Sequence, residues 1–381
     1  MSHNINCLQC IVPPHMLQNM LANGSDFQKQ IALASIAASG QLRGHRQALA
    51  ESVNFLTTPA TPGKHRTVYS ASNGSTLPGK VVRAEGAPAT GDPATDEAYD
   101  GSGATYDFYW DVYQRNSVDG NGLWLDSTVH YQQKYDNAFW NGQQMIYGDG
   151  DGQLFNRFTI ALDVIGHELT HGVTQYTSNL SYQNQYGALN ESISDVFGSL
   201  VKQYKLNQTA DQADWLIGQG LFTANVKGIA LRSMKAPGTA YDDPVLGKDP
   251  QPGTMTGYVN TTQDNGGVHI NSGIPNHAFY LLATALGGYA WEKAGKIWYV
   301  AATTKFKSDT DFQGAADLTS QAAGELFGQG SAEQQAVQNS WAGVGITVGA
   351  QPQTQPQPQS NGCLPAVLSI LQSLLGGNSQ N

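Results

Sequence analysis

Residues 167–171 read His-Glu-Leu-Thr-His, and residues 190–195 read Asn-Glu-Ser-Ile-Ser-Asp. The first string lies inside a stretch from Ile160 to Tyr176 whose apolar residues recur at helical spacing. On a helix, His167 and His171 stand one turn apart on the same face, where both can aim a ring nitrogen at one ion. The bland alternative is a pair of histidines on a solvated helix face. Glu191, 20 residues after His171, weighs against it. It sits in a second helical stretch that starts near Gly187, and a carboxylate there can fold back to complete a two-histidine, one-glutamate zinc site. Such a site leaves a fourth position for water, the layout of catalytic rather than structural zinc. Asp195, one turn beyond Glu191, is placed to accept the other ring N–H of a liganding histidine and fix its tautomer; its alternative is a solvated helix carboxylate. Glu168 points about 100° around the helix from His167, so it suits a metal-activated water better than the ion. A carboxylate there can take the water's proton and deliver it to a departing amine, which makes the reaction class metal-assisted amide hydrolysis.

The composition outside these strings narrows the class. At 381 residues the chain allows two packed domains. Charged residues are 13%, about half the usual ~25%, while hydrophobic residues reach 40%, which argues against wholesale disorder. A formal net charge of -10 disfavours nucleic acid or anionic membrane as a partner. No run of ~18 apolar residues suggests a transmembrane helix. The first 25 residues carry no Lys or Arg, and Pro13 and Pro14 interrupt their apolar stretch, so no ordinary export signal is expected.

Residues 67–158 are rich in Gly, Asp, Asn, Thr and aromatics, with short apolar stretches such as Thr128 to Tyr131 and Met145 to Tyr147, and read as β-rich. From Thr159 the period becomes helical: Leu189, Ile193, Val196, Phe197, Leu200, Val201 and Tyr204 form one stripe, and three or four more helices are expected between Ile274 and Val344. The last begins at Ser331, with Gln334 completing a capping-box pattern. The fold class is α+β. A Thr/Pro/Gly-rich stretch from Thr57 to Arg66 reads as an exposed linker, and residues 350–362 as an extended Pro/Gln-rich spacer. The short amphipathic helix that follows it either docks on the body or binds a partner or membrane surface. Cys7, Cys10 and Cys363 lie near the ends, so no disulfide scaffold is possible. The Cys7–Cys10 pair is open to three readings: inert surface thiols, a reversible disulfide or metal contact, or a thiolate that closes the zinc's open position.

HELTH, NESISD, DNAFWNG (136–142) with the following YGDGDG (147–152), LRSM (231–234) and DNGGVHINSGIPN (264–276) stand in an order and spacing that resembles the thermolysin family of zinc metalloendopeptidases. The resemblance covers roughly residues 67–346. PPHML at 13–17 resembles the protealysin-type members, whose short propeptide occludes the active site until it is cleaved. The resemblance implies a two-lobed zincin, β-rich before the cleft and mainly helical after it. It implies zinc on His167, His171 and Glu191, Glu168 as general base, Tyr182 and His269 as oxyanion donors, and Asp264 orienting His269. Arg232 would bind a substrate carbonyl, and Asn137 with the backbone of Ala138 and Trp140 would hold the peptide as an added strand. Phe155, Phe158, Val164, Ile217 and Leu231 would line the pocket after the scissile bond. All five are apolar, so cleavage before Leu, Phe, Ile or Val is expected. Asp163 and Asp214 match the family's calcium ligands, but Lys202 and Gln219 stand where two further carboxylates are expected, and Ile229 where an aspartate is expected. At most one calcium is therefore expected, with a lysine able to occupy an ion's place. The loop Asp149 to Gly152 (DGDG) reads as a turn in preference to a calcium site.

The resulting expectation is a monomeric proenzyme acting on peptides or proteins and inhibited by its own propeptide. Its parts are a propeptide and linker (1–62), a lobe with the HExxH helix (63–180), a helical lobe (181–348) and a tail (349–381). The resemblance suggests secretion, and the missing signal leaves cytoplasmic residence open. The rival reading is a zinc-binding pseudoenzyme or binding module that works through the cleft or the C-terminal helix.

Overall fold

The computed structural model describes residues 9–52 and 63–350, with the side chains of 41–52 excepted. The expected tail helix, Cys7, Cys363 and residues 57–62 of the linker lie outside the described residues. The front segment begins with β1 (Gln9–Cys10), then α1 (Pro14–Asn23) and α2 (Asp26–Ser52). Pro14 opens α1, where its missing N–H costs nothing. The helix buries Met16, Leu17 and Met20.

The next part of the chain supplies β2 (Arg66–Ser70), β3 (Lys80–Ala84), α3 (Pro93–Tyr113), β4 (Leu125–Val129), β5 (Ala138–Trp140) and β6 (Met145–Tyr147). With β1 they form a six-stranded sheet in the order β1-β5-β6-β4-β2-β3. β4 runs parallel to both β2 and β6, and the other pairings are antiparallel. The front segment thus adds an edge strand to the sheet, with Cys10 opposite Phe139 and Gln9 opposite Trp140. The end of the expected linker is tied down instead of exposed. Lys64 pairs with Asp107 at 2.6 Å, His65 stacks on Trp124, and Arg66 joins β2 while its guanidinium grips Glu85.

The β-rich reading of residues 67–158 needs one correction, because 21 of them form α3. Gly101 and Gly103 mask its helical pattern, and both are there for packing. A Cβ on Gly101 would fall 2.3 Å from Ile165 Cδ1, and one on Gly103 2.2 Å from Arg66 Nη1. The readable signal was the start: Asp92 caps the helix by accepting from the Thr95 N–H, and Pro93 follows it.

The helical part consists of α4 (Leu162–Gln175), α5 (Asn184–Leu206), two short hairpins made of β7 (Leu216–Ile217) with β8 (Arg232–Ser233) and β9 (Asp242–Asp243) with β10 (Gly247–Lys248), then α6 (Asp264–Asn271), α7 (Gly273–Leu286), α8 (Ala294–Val300), α9 (Phe312–Phe327) and α10 (Ala332–Gly343). α8 widens into a π-helix over Ala301–Lys305. At α10 the Ser331 hydroxyl accepts from the Gln334 N–H as the capping pattern implies, while the Gln334 side chain reaches back to the Gly330 N–H. The core runs from the aromatic cluster of Tyr109, Phe197 and the stacked pair Tyr113–Tyr299 to the stacked pair Trp298–Trp341.

Two glycines set how closely α4 and α5 approach. A Cβ on Gly198 would stand 2.3 Å from Asp163 O and 2.9 Å from His167 N, and one on Gly166 would stand 3.1 Å from Gly198 Cα. Gly198→Ala is therefore expected to push the two helices apart, costing about 1–3 kcal/mol by overpacking. Thermal unfolding should show a lower Tm, and equilibrium dialysis should show weaker zinc retention, because the two helices carry the candidate ligands.

The DGDG loop, Asp149 to Gly152, makes a tight turn, as its sequence suggests. Gly150 and Gly152 have φ of 75° and 72°, and Asp151 Oδ1 accepts from the N–H groups of Gln153, Leu154 and Phe155. Asp149 meets His130 Nδ1 at 2.8 Å, while His130 Nε2 meets Asp92 at 3.0 Å. The hydrogen bond to Asp149, then that to Asp92, outweigh partial burial and raise His130 to about 9. Its folded pKa lies above its unfolded value near 6.5, so the staple's stabilisation is full below that value and fades as pH rises through 9. Urea unfolding of His130→Gln should accordingly show a larger loss of stability at pH 6 than at pH 9.5.

Candidate active site

His167 and His171 project from one face of α4, and α5 crosses that face with Glu191. His167 Nε2 lies 3.0 Å from His171 Nε2, 3.5 Å from one Glu191 oxygen, and the other Glu191 oxygen is 3.4 Å from His171 Nε2. All three side chains are buried. The opposite ring nitrogens are already engaged: His167 Nδ1 meets Asp195 Oδ1 at 2.8 Å, and His171 Nδ1 meets Asn190 Oδ1 and Ser194 Oγ at 2.9 Å each. Hydrogen bonding at Nδ1 turns each Nε2 toward the centre of the group. Burial lowers the His167 pKa to about 4, so the ring is neutral and offers a lone pair. Glu191 Oε2 is a buried carboxylate oxygen without a hydrogen-bond donor, the kind of orphan that a cation satisfies. The donor set of two imidazoles and one carboxylate fits zinc.

Asp195 does more than orient His167. It accepts from Arg232 Nε and Nη2 at 2.9 and 2.8 Å and from Asn276 Nδ2 at 2.8 Å. Burial alone would raise its pKa, but the Arg232 cation and the His167 hydrogen bond bring it down to about 2. Asn190, Ser194 and Asn276 are site residues that the sequence reading did not single out. The first two could have been found, since Asn190 and Ser194 are four apart on one helix face and Ser194 is three residues beyond Glu191.

Glu168 is fully buried, and its Oε2 accepts from the Trp140 N–H at 2.9 Å, which ties the HExxH helix to β5. Tyr182 precedes α5, and its hydroxyl donates to Glu191 Oε1 and lies 3.2 Å from His269 Nε2. His269 Nδ1 meets Asp264 Oδ1 at 2.7 Å, and Asp264 Oδ2 takes the His269 N–H. Burial opposes charge on His269, but the carboxylates of Asp264 and Glu191 outweigh it and raise the ring to about 9. The α6 element is less regular than its span suggests. Asn265, Gly266 and Gly267 adopt left-handed φ/ψ, and a Cβ on Gly266 would lie 2.1 Å from Asn184 Oδ1.

The remaining residues surround the front segment. Asn137 Oδ1 accepts from the Val12 N–H at 3.0 Å, Ala138 O from the Ile11 N–H at 3.1 Å, and Arg232 Nη1 donates to Ile11 O at 3.2 Å. His269 Nε2 lies 3.0 Å from Cys10 O. Ile11 is wholly buried in the apolar cluster that includes Phe155, Phe158, Val164, Ile217 and Leu231. Cys10 is buried in a second cluster with Phe139, Tyr135 and Ala38 and is not part of the metal-binding group. For Cys10 this corrects both the surface-thiol reading and the thiolate reading. Around Asp163, the Lys202 ammonium stands 3.2 Å from that carboxylate and 2.8 Å from Asp214. Ile229 is 60% exposed.

Comparison with known proteins agrees with this geometry. Residues 51–175 match the catalytic domain of thermolysin metallopeptidases, and residues 178–346 match their α-helical domain. An extracellular metalloprotease of Pectobacterium carotovorum subsp. carotovorum is 54% identical over 339 residues, covering 89% of this chain and 96% of the relative. Protease PrtS of Photorhabdus sp. (strain Az29) is 48% identical over 350 residues, covering 89% and 92%. The solved structure of the precursor of protealysin, a metalloproteinase from Serratia proteamaculans, is similar with a TM-score of 0.81 at 53% identity. That match covers 89% of this chain and all of the other.

Proposed function

The chain belongs to the thermolysin metallopeptidase family, and from that premise we propose a secreted, monomeric zinc endopeptidase that is made as a proenzyme and cuts before bulky apolar residues. The observation that carries this reading is the segment Cys10–Ile11–Val12. Its backbone hydrogen-bonds to Asn137, Ala138 and Arg232 and lies 3.0 Å from His269 Nε2, the groups to which this reading gives substrate and oxyanion binding.

His167, His171 and Glu191 would hold the zinc, which when bound polarises the scissile carbonyl and lowers the pKa of a water. Glu168 takes the proton of the attacking water and hands it to the amide nitrogen as the C–N bond breaks. His269, kept protonated by Asp264, and Tyr182 donate to the oxygen on which negative charge develops. Asn137 and the carbonyl of Ala138 bind the substrate as an added strand along β5, where the Trp140 amide holds Glu168 in line. Arg232 reads the carbonyl after the scissile bond while also neutralising Asp195, so it links substrate position to the orientation of His167. The pocket of Phe155, Phe158, Val164, Ile217 and Leu231 has no partner for a charged side chain, which supports preference for Leu, Ile, Phe or Val. Residues 1–62 serve as propeptide and linker, 63–180 and 181–348 as the two lobes, and 349–381 as a tail. The extracellular relative supports secretion. The intact set of Glu168, His269 and Tyr182 favours an enzyme over a zinc-binding pseudoenzyme.

The test is Glu168→Ala, compared with wild type after removal of the front segment. The variant is expected to keep its zinc and lose about 10²–10⁴ in kcat/KM on a peptide with Leu or Phe after the cut bond. Full activity in the variant would remove Glu168 from the mechanism. For calcium, the Lys202 ammonium between Asp163 and Asp214 already supplies the positive charge that an ion would bring there. A calcium-selective chelator that spares zinc is therefore expected to leave the Tm unchanged in differential scanning calorimetry.

A further inference from the structure

We propose that the Cys10–Ile11 peptide bond is itself a slow substrate, hydrolysed by the active site of the same molecule. The inference rests on the peptidase reading and adds to it a specific bond and a cis reaction. Four backbone groups around that bond are held. The Cys10 carbonyl faces His269 Nε2 at 3.0 Å, the Ile11 N–H donates to Ala138 O, the Ile11 carbonyl accepts from Arg232, and the Val12 N–H donates to Asn137. The His269 imidazole that reaches the Cys10 carbonyl is also 3.2 Å from the Tyr182 hydroxyl. Among the described backbone contacts of the segment, the Cys10 carbonyl is the one that meets an oxyanion donor, His269, while the Ile11 carbonyl meets Arg232. The side chains agree, because extended backbone sends neighbours to opposite faces: Ile11 enters the main apolar cluster and Cys10 the smaller one.

The same contacts make the reaction slow. On the amine side, Pro13 and Pro14 lead into α1, which is fastened through His15 Nε2 to the Tyr241 hydroxyl at 2.8 Å and through Asn19 Nδ2 to Leu246 O at 2.8 Å. A freed Ile11 amine cannot leave, so it stays beside the new carboxyl and can re-form the bond. On the acyl side, the strand pairing of β1 with β5 among the described residues is limited to Gln9 and Cys10, without the helix that fastens the amine side. In the forward step the oxygen of water adds to the Cys10 carbonyl carbon. Glu168 carries a water proton to the Ile11 nitrogen, the C–N bond breaks, and a Cys10 carboxylate and an Ile11 amine result.

The experiment follows the intact mass and N-terminal sequence of purified full-length protein over time, at two concentrations tenfold apart, beside Glu168→Ala. A chain beginning at Ile11 is expected to accumulate in wild type with a first-order rate unchanged by dilution, and to be absent from Glu168→Ala. Ile11→Asp, with folding checked by circular dichroism, should slow the cut at least tenfold. The proposal is overturned if the rate scales with concentration, if Glu168→Ala yields the same product, or if Ile11→Asp is cut as fast as wild type. It is also overturned if wild type cuts casein once an added protease has removed the front segment, yet never yields an Ile11 terminus while intact. Wild type that cuts neither bond nor casein would overturn the peptidase reading itself.

Discussion

A buried carboxylate holds the centre of this protein together. Asp195 is wholly enclosed, and an isolated charge in such a place would cost far more than a fold can spare. Four hydrogen bonds offset that cost, one from His167, two from Arg232 and one from Asn276. They come from α4, β8 and α7, so a single side chain on α5 ties together three other elements. Removing one donor would leave charge without compensation, which is why such networks hold a single arrangement.

The front segment is held mainly through its backbone. Edge-strand pairing with β5 satisfies its backbone, an apolar cluster takes Ile11, and Arg232 takes its carbonyl. Backbone recognition of this kind gives affinity with little regard for sequence, while the pocket for the alternate side chain gives selectivity. Two prolines then turn the chain away into α1, whose buried Met16, Leu17 and Met20 anchor it by a separate contact. The front segment is therefore held at two separate places, by its backbone at β5 and Arg232 and by the apolar face of α1.

A lysine ammonium compensates the buried Asp163 carboxylate. Asp163 is nearly inaccessible to solvent, and burial pushes its pKa up. The Lys202 ammonium opposes that shift, and the Gly218 N–H supplies another donor. The same ammonium also reaches Asp214, so one covalently attached cation serves both carboxylates.

The sequence by itself determined the metal-binding group, because a helix of 3.6 residues per turn places His167 and His171 together and the spacing to Glu191 needs only one fold-back. It also determined the α+β class through the change of period after residue 159. It did not reveal α3, since Gly101 and Gly103 look like helix breakers until Ile165 and Arg66 are seen to fill the space where their side chains would be. The close approach of α4 to α5, the burial of Cys10 away from the metal-binding group, and the register of Ile11 against Ala138 were likewise decided by tertiary structure. Local periodicity reports which face of an element is apolar. Which partner meets that face, and at what distance, depends on contacts between residues far apart in the chain.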